Sequence, residues 1–471
     1  MIFQRFNSLP YGEKPTIRCV GKLTDSPAHR LLHASCVTAA ALLSAQAIAQ
    51  QTPDVQMPQA PRAPTVESAT KSSAALTNEQ RYQAPELSGK LELNLQQADG
   101  QDSPTKLKRD TGEAEVQLTL DIEQRWAPGI SMKGRLNLST LYLTEDSIAS
   151  DDDGFAYDLE RLYVQFDQRK KFRLRVGRMG IRDPMETVVD ENLDGVQVSF
   201  ERDRLEFLLS QTREDWFEAS TAGRANQISN TLAQIRFSPQ KDSVWMPYVL
   251  HRSAEILNTL RPSKITWMGL QGIVEPNNSA IRYWLHASVQ DGEESDEDER
   301  VELGGFLVDL GINWTAGGSL KPTFTAGVAH ATGGSRDERF RQSGLHSNDF
   351  ALNGKNSFRY LGEVMDPELT NIQIITLGVG ADLSEDWSTD IALHHYQQVD
   401  VADNLRGSDI EYDPLGISGQ LGTGADLVIS YQPDKQFDIK ATAGVFEPGD
   451  AFDDDRDMAW LAKVEIDYDF W

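Results

Sequence analysis

The chain has 471 residues, with 45 lysines and arginines against 72 aspartates and glutamates and a formal net charge of −27, a balance that argues against a nucleic-acid partner. No run of eighteen apolar residues occurs, so no helix is expected to span a bilayer. Its two cysteines, Cys19 and Cys36, both precede the cleavage site proposed below, so no disulfide framework or cysteine metal site is expected after processing.

Arg30 and His33 lead into an apolar stretch of small residues, Ala34 to Gln46. Ala47-Ile48-Ala49 then supplies the small-x-small pattern of an export signal. Residues 1–49 are therefore expected to be a signal peptide with a long front, cut after Ala49. Cys36 stands near the start of the apolar stretch rather than just after it, which rejects a lipoprotein. Residues 50–86, rich in Gln, Pro, Ala, Ser and Thr, cannot bury enough apolar surface to offset ordering entropy. They are expected to be a disordered periplasmic linker.

From 87 to 471 the chain reads as strands only. The candidates lie near 88–97, 113–124, 130–143, 157–167, 171–181, 194–201, 203–213, 230–238 and 243–252. They continue at 264–274, 279–289, 303–315, 320–331, 371–383, 387–398, 424–432, 437–446 and 459–470. That makes 18, an even number as in bacterial barrels. In the second, Val116, Leu118, Leu120 and Ile122 alternate with Glu115, Gln117, Thr119, Asp121 and Glu123. Carboxylates interleaved in this way suit an aqueous lumen, because a buried unpaired charge is costly.

The connections alternate. Those after even-numbered strands are brief, such as Ala127-Pro128-Gly129, Ser384-Glu385-Asp386 and Pro433-Asp434-Lys435-Gln436. Those after odd-numbered strands include the long segments 144–156, 290–302, 332–370 and 399–423. Short periplasmic turns and long extracellular loops are what a transmembrane β-barrel shows. The 332–370 loop is expected to fold partly into the lumen. Trp126, Trp245, Trp314 and Trp387 stand beside short turns, where an aromatic girdle meets the membrane interface.

The last strand has Ala462, Val464, Ile466, Tyr468 and Phe470 on one face and Lys463, Glu465, Asp467 and Asp469 on the other. On pattern alone a soluble sheet would serve as well. Ending the chain on Tyr468, Phe470 and Trp471 resembles the carboxy-terminal signal by which the barrel assembly machinery recognises outer-membrane barrels. This strand is expected to pair with the first.

Several stretches together resemble the alginate export family of outer-membrane porins. They are Phe340 to Asn348, Phe358 to Glu363 and Pro367 to Asn371, with Tyr157 to Phe166, Arg175-Val176-Gly177-Arg178, Asp190 to Asp194 and Gly444 to Asp450. The resemblance implies an eighteen-stranded barrel in the outer membrane that exports an anionic, uronate-rich polysaccharide through a constriction lined by bases. Matching positions are Arg161, Arg175, Arg178, Arg359 and Lys440, with Asp190, Asp194 and Glu465 as acidic counterparts. Strict alternation from Phe172 points Arg178 at lipid, so a bulge at Gly177 is expected to turn it inward. Beyond the polysaccharide, the partners implied are outer-membrane lipid, lipopolysaccharide and a periplasmic export scaffold. The turn 433–436 is too short for the long periplasmic loop that the family's best-known member carries there, which leaves gating open.

About two thirds of the acidic excess sits in 144–156, 290–302, 400–413 and 450–457, which are read as solvated extracellular loops. No cofactor is expected, apart from Ca2+ as a candidate ligand of those loops. His394-His395 has no third ligand at a useful spacing and reads as a lumen or interface pair. No G-x-S-x-G, H-E-x-x-H or phosphate loop is present, so an enzyme is not expected. A diffusion porin for oligosaccharides or small anions is the alternative function.

Overall fold

The computed structural model describes residues 84–100, 110–143, 154–168, 171–214, 227–255, 262–276, 279–296, 299–334, 338–410, 412–453 and 456–470, with Arg18 and Cys19. The expected signal and linker, 1–49 and 50–86, fall almost wholly outside these residues, as does Trp471. The exception is a two-residue bridge, Arg18–Cys19, paired with Ala156 and Phe155, together with residues 84–86.

Eighteen strands close into one antiparallel barrel. In chain order they are β1 (Glu86–Asp99), β2 (Asp110–Ala127), β3 (Ile130–Leu143), β4 (Gly154–Gln168), β5 (Phe172–Arg182) and β6 (Asp190–Arg202). Next come β7 (Leu205–Arg213), β8 (Gln227–Phe237), β9 (Val244–Glu255), β10 (Ser263–Val274), β11 (Ile281–Asp296) and β12 (Phe306–Thr315). The last six are β13 (Thr323–Ala331), β14 (Ile372–Asp382), β15 (Trp387–Gln398), β16 (Gln420–Tyr431), β17 (Phe437–Pro448) and β18 (Ala459–Phe470). Each pairs with the next, and β18 pairs with β1 from Gly89↔Phe470 to Asp99↔Trp460. Closure leaves no strand edge, the condition for a sheet in lipid, where an unpaired backbone group costs several kcal/mol.

Outward-facing side chains are apolar. Leu209, Val249, Leu310, Ile312, Leu377 and Leu393 are exposed, as lipid contact requires. At the short-turn end Trp126, Trp314 and Trp387 are exposed, with Trp314 stacked on Phe324 and Trp387 on Tyr431 at centroid distances of 5.6 and 4.6 Å. Such pairs add about 0.5–1.5 kcal/mol beyond the area they bury.

Two expectations need correction. Residues 290–302 are not a solvated loop: β11 runs on to Asp296, and Glu299–Leu303 returns along it with Val301 opposite Glu294. The acidic composition hid this hairpin, because cross-strand pairing and an Arg300–Glu293 ion pair offset the charge. Nor is the lumen wholly aqueous. Residues 332–334 and 338–371, between β13 and β14, fold inside and fill one side of it. Phe340, Leu345, Leu352, Leu361, Met365 and Leu369 from this plug are buried in one apolar cluster with Leu250, Trp267, Trp284 and Leu307 of the wall. Inward-facing apolar residues on β9 to β12 supply the core that the alternation on β2 argued against.

The plug is fixed by polar contacts along its length. Trp267 donates to the Arg341 carbonyl at 2.7 Å, and Tyr360 donates to Asp309 at 2.7 Å. Near the short-turn end, Arg282 and Asn313 hold the carbonyls of Ala351 and Leu352 at 2.9 and 2.8 Å, while Lys355 reaches Asp382 at 2.8 Å. A second inward segment, 183–189, joins β5 to β6. The Asp183 carboxylate accepts the backbone N–H groups of Met185, Val188 and Val189 at 3.0, 2.8 and 2.7 Å, which fixes this elbow. Thr187 then meets His286 at 3.0 Å, and Ser347 of the plug donates to Glu186 at 2.7 Å.

Candidate functional site

With the plug against β9 to β17, the open part of the lumen lies along β1 to β4. A cavity of about 700 Å³ is lined there by Lys90, Glu92, Asp121, Arg135, Asn137 and Glu160, among others. Its wall carries six carboxylates to two bases, so charges of both signs interleave along it. Lys440 and Lys463 hold Glu465 at 2.9 and 3.0 Å, and Lys90 holds Asp467 at 2.9 Å. Gln117 donates to Glu92 at 2.8 Å, and Arg135 grips Asp121 through two nitrogens at 2.8 and 3.0 Å. A continuous polar belt thus crosses the seam from β17 to β3.

On β4 the sequence slips phase. Arg135 of β3 faces Arg161, while Asn137 faces Asp158, so an extra residue is accommodated between them. Phe155, Tyr157 and Leu159 point outward before the bulge, and Leu162 and Phe166 do so after it; Leu159 and Leu162 are 39% and 38% exposed. The bulge therefore turns two consecutive charged residues, Glu160 and Arg161, to the same inward side. Arg161 contacts Glu160 at 3.2 Å and donates to Asn192 at 3.0 Å.

Arg178 and Asp194 meet directly across β5 and β6 at 3.6 Å, their side chains 13% and 0% exposed, whereas Val176 beside them is 43% exposed. The pair is shielded, but not through the expected bulge: pairing runs without slip through Gly177 on both sides. What departs from an ordinary strand is the backbone itself, with φ of +130° at Gly177.

Arg175 stands apart from the other bases. It donates to the side-chain carbonyls of Gln165 and Gln197 at 2.9 and 3.2 Å and lies 5.4 Å from the centroid of the Tyr163 ring. Among the ion pairs of the described residues it has no carboxylate within 4 Å. The neutral amides orient the guanidinium without cancelling its charge.

Arg359, on the plug, is held by Asp366 and Asp409 at 3.1 and 2.6 Å, and those carboxylates keep its charge firmly in place. Asp409 comes from a segment read as solvated loop; it packs down on the plug instead, as does Arg406, 3.0 Å from Glu368. Asp349 of the plug feels Arg359, Lys440 and Lys463 on one side and Asp190 on the other, and burial raises its carboxyl above the usual range. Burial likewise pushes Glu363 and Glu186 up to about 7, with Arg359 opposing the shift at Glu363. Asp190 is held by Arg182 at 2.6 Å. The structure thus brings Arg359, Lys440, Glu465 and Asp190 into one region around Asp349. Arg161 joins its edge through Asn192, and Arg175 does not belong to it. Sequence reading missed Lys463, Arg182, Arg135 and Glu160; the phase change across 159–162 was the available signal for the last.

Comparison with known proteins bears on this lumen. The alginate export family matches residues 114–460. The alginate production protein AlgE of Pseudomonas aeruginosa is 25% identical over 358 residues, which cover 63% of this chain and 70% of the relative. AlgE of Azotobacter vinelandii is 32% identical over 149 residues, 29% of this chain and 30% of the relative. Among solved structures, Pseudomonas aeruginosa OccK8 (OprE) superposes with a TM-score of 0.54 at 12% identity, covering 82% of this chain and 98% of that one. OprD of the same organism gives 0.52 at 13%, covering 82% and 93%. These last two likenesses concern the fold alone.

Proposed function

From the premise that the chain belongs to the alginate export family, we propose that its lumen carries an anionic, uronate-rich exopolysaccharide out across the outer membrane. The protein is an integral outer-membrane barrel, and the reading is of a channel without catalysis. The observation that carries it is Arg175, a lumen cation held by amides and an aromatic ring and left uncancelled, with Arg359, Lys440 and Lys463 gathered elsewhere around the plug. Fixed charge on a low-dielectric wall concentrates carboxylates locally. The acidic outer segments affect this little beyond a Debye length of about 8 Å. Interleaved acids keep each contact weak, as conduction needs.

The test is electrical. In planar bilayers under a salt gradient, Arg175→Glu, Arg359→Glu and Arg161→Glu should each move the reversal potential towards cation selectivity and weaken block by oligouronates. Arg175→Glu is the cleanest, since it breaks no ion pair. A wild-type channel that already prefers cations, with all three variants indistinguishable from it, would leave the diffusion porin as the better description.

A further inference from the structure

Glu160 occupies an unusual position on the open wall. Its carboxylate accepts from Asn137 Nδ2 at 3.0 Å and Asn192 Nδ2 at 3.4 Å, and it meets Arg161 at 3.2 Å and Arg135 at 3.6 Å. These four groups come from β3, β4 and β6. Two guanidinium groups and two amides converging on one carboxylate form a carboxylate-binding site, and charge-assisted contacts of this kind are the strong ones. Arg135, Asn137, Asn192 and Glu160 all line the 700 Å³ cavity. The site therefore opens on the path that the plug leaves free. Its present occupant belongs to the protein and is delivered by the β4 bulge.

We propose that Glu160 is a resident stand-in for the substrate's carboxylate: it keeps a uronate-binding site filled, so that a passing sugar acid shares the donors only briefly. This rests on the polyanion-channel reading and adds the residue that sets the dwell time on the wall. An empty site would hold the polymer and slow it, whereas a site already satisfied by its own acid is attractive to a second carboxylate only through partial displacement. Glu160→Gln would retain the shape and remove the charge. Asn137, Asn192 and Arg161 would then face the lumen with no anion among them, while Arg135 stays paired with Asp121.

Single-channel recording with a defined oligouronate tests this on the full-length barrel, with heat-modifiable migration as the check of folding. Glu160→Gln should lengthen each block about tenfold, equivalent to about 1.4 kcal/mol. Block by a neutral oligosaccharide of equal length should stay unchanged. Adding Arg161→Gln to that variant should remove the gain. If the wild type is blocked by oligouronate and Glu160→Gln dwell times are equal or shorter, the stand-in role is wrong while the channel reading survives. If oligouronate blocks neither protein, both fail together. Should Glu160→Gln not assemble, Asn192→Asp adds a second acid to the same donors and is expected to shorten the block; a longer or equal one overturns the proposal.

Discussion

Gly177 shows how one backbone angle governs the chemistry beside it. At φ of +130° a side chain is strained, and an added Cβ would sit 2.2 Å from the Leu162 carbonyl oxygen and 2.8 Å from the Tyr163 Cα. Both obstacles are backbone, so neither can swing aside. Gly177→Ala is expected to cost about 1–3 kcal/mol and to lower the temperature at which the heat-modifiable band is lost. Gly317→Ala, in a turn with nothing within 4 Å of the new methyl, is the control and should change little. Arg178 after it marked the position as important, but the residues alone could not distinguish a slipped register from a turned peptide, since both account for a misphased arginine that is shielded. The ion-pair partners of Arg359 were equally hidden: Asp366 is seven residues away, whereas Asp409 is fifty residues along and meets it only because the intervening strands pair.

Among the elements, the plug is the least regular and the most constrained. The apolar residues of 340–369 are visible in the sequence, yet they follow neither period two nor period 3.6, so no pattern says which wall they meet. The strands were legible because lipid outside and polar groups inside impose period-two alternation on most of them; on β9 to β12 the plug replaces part of the polar inside with an apolar core. The plug and the 183–189 elbow against it also carry the titrating groups. Glu363 is lifted to about 7 from an ordinary 4.5 because burial penalises its charged form, and Glu186 moves the same way. A raised carboxyl contributes stability that is fully present below about pH 4.5 and lost as the pH rises through about 7. Amides of 358–366 should accordingly exchange more slowly at pH 5.5 than at pH 8 once intrinsic rates are corrected. Equal protection at the two values would mean that these carboxyls are ionised throughout.

At the scale of the whole molecule, closure rests on the β18–β1 ladder, from Gly89↔Phe470 to Asp99↔Trp460. Deleting Tyr468 to Trp471 should abolish the heat-modifiable barrel, because it removes lipid-facing residues at the seam and exposes a strand edge; wild-type amounts after the deletion would refute closure by this strand. The same seam borders the open half of the lumen. Among the hydrogen bonds and ion pairs given for the described residues, the plug engages the 183–189 elbow, the start of β6 at Asp190 and the wall from β9 onward, and none reaches β1 to β4. One side of the barrel is therefore braced from within like a filled arch, and the other stays round by its own ladder alone. Bending stiffness must differ around the circumference, so thermal breathing of the cross-section is concentrated where the polymer would run.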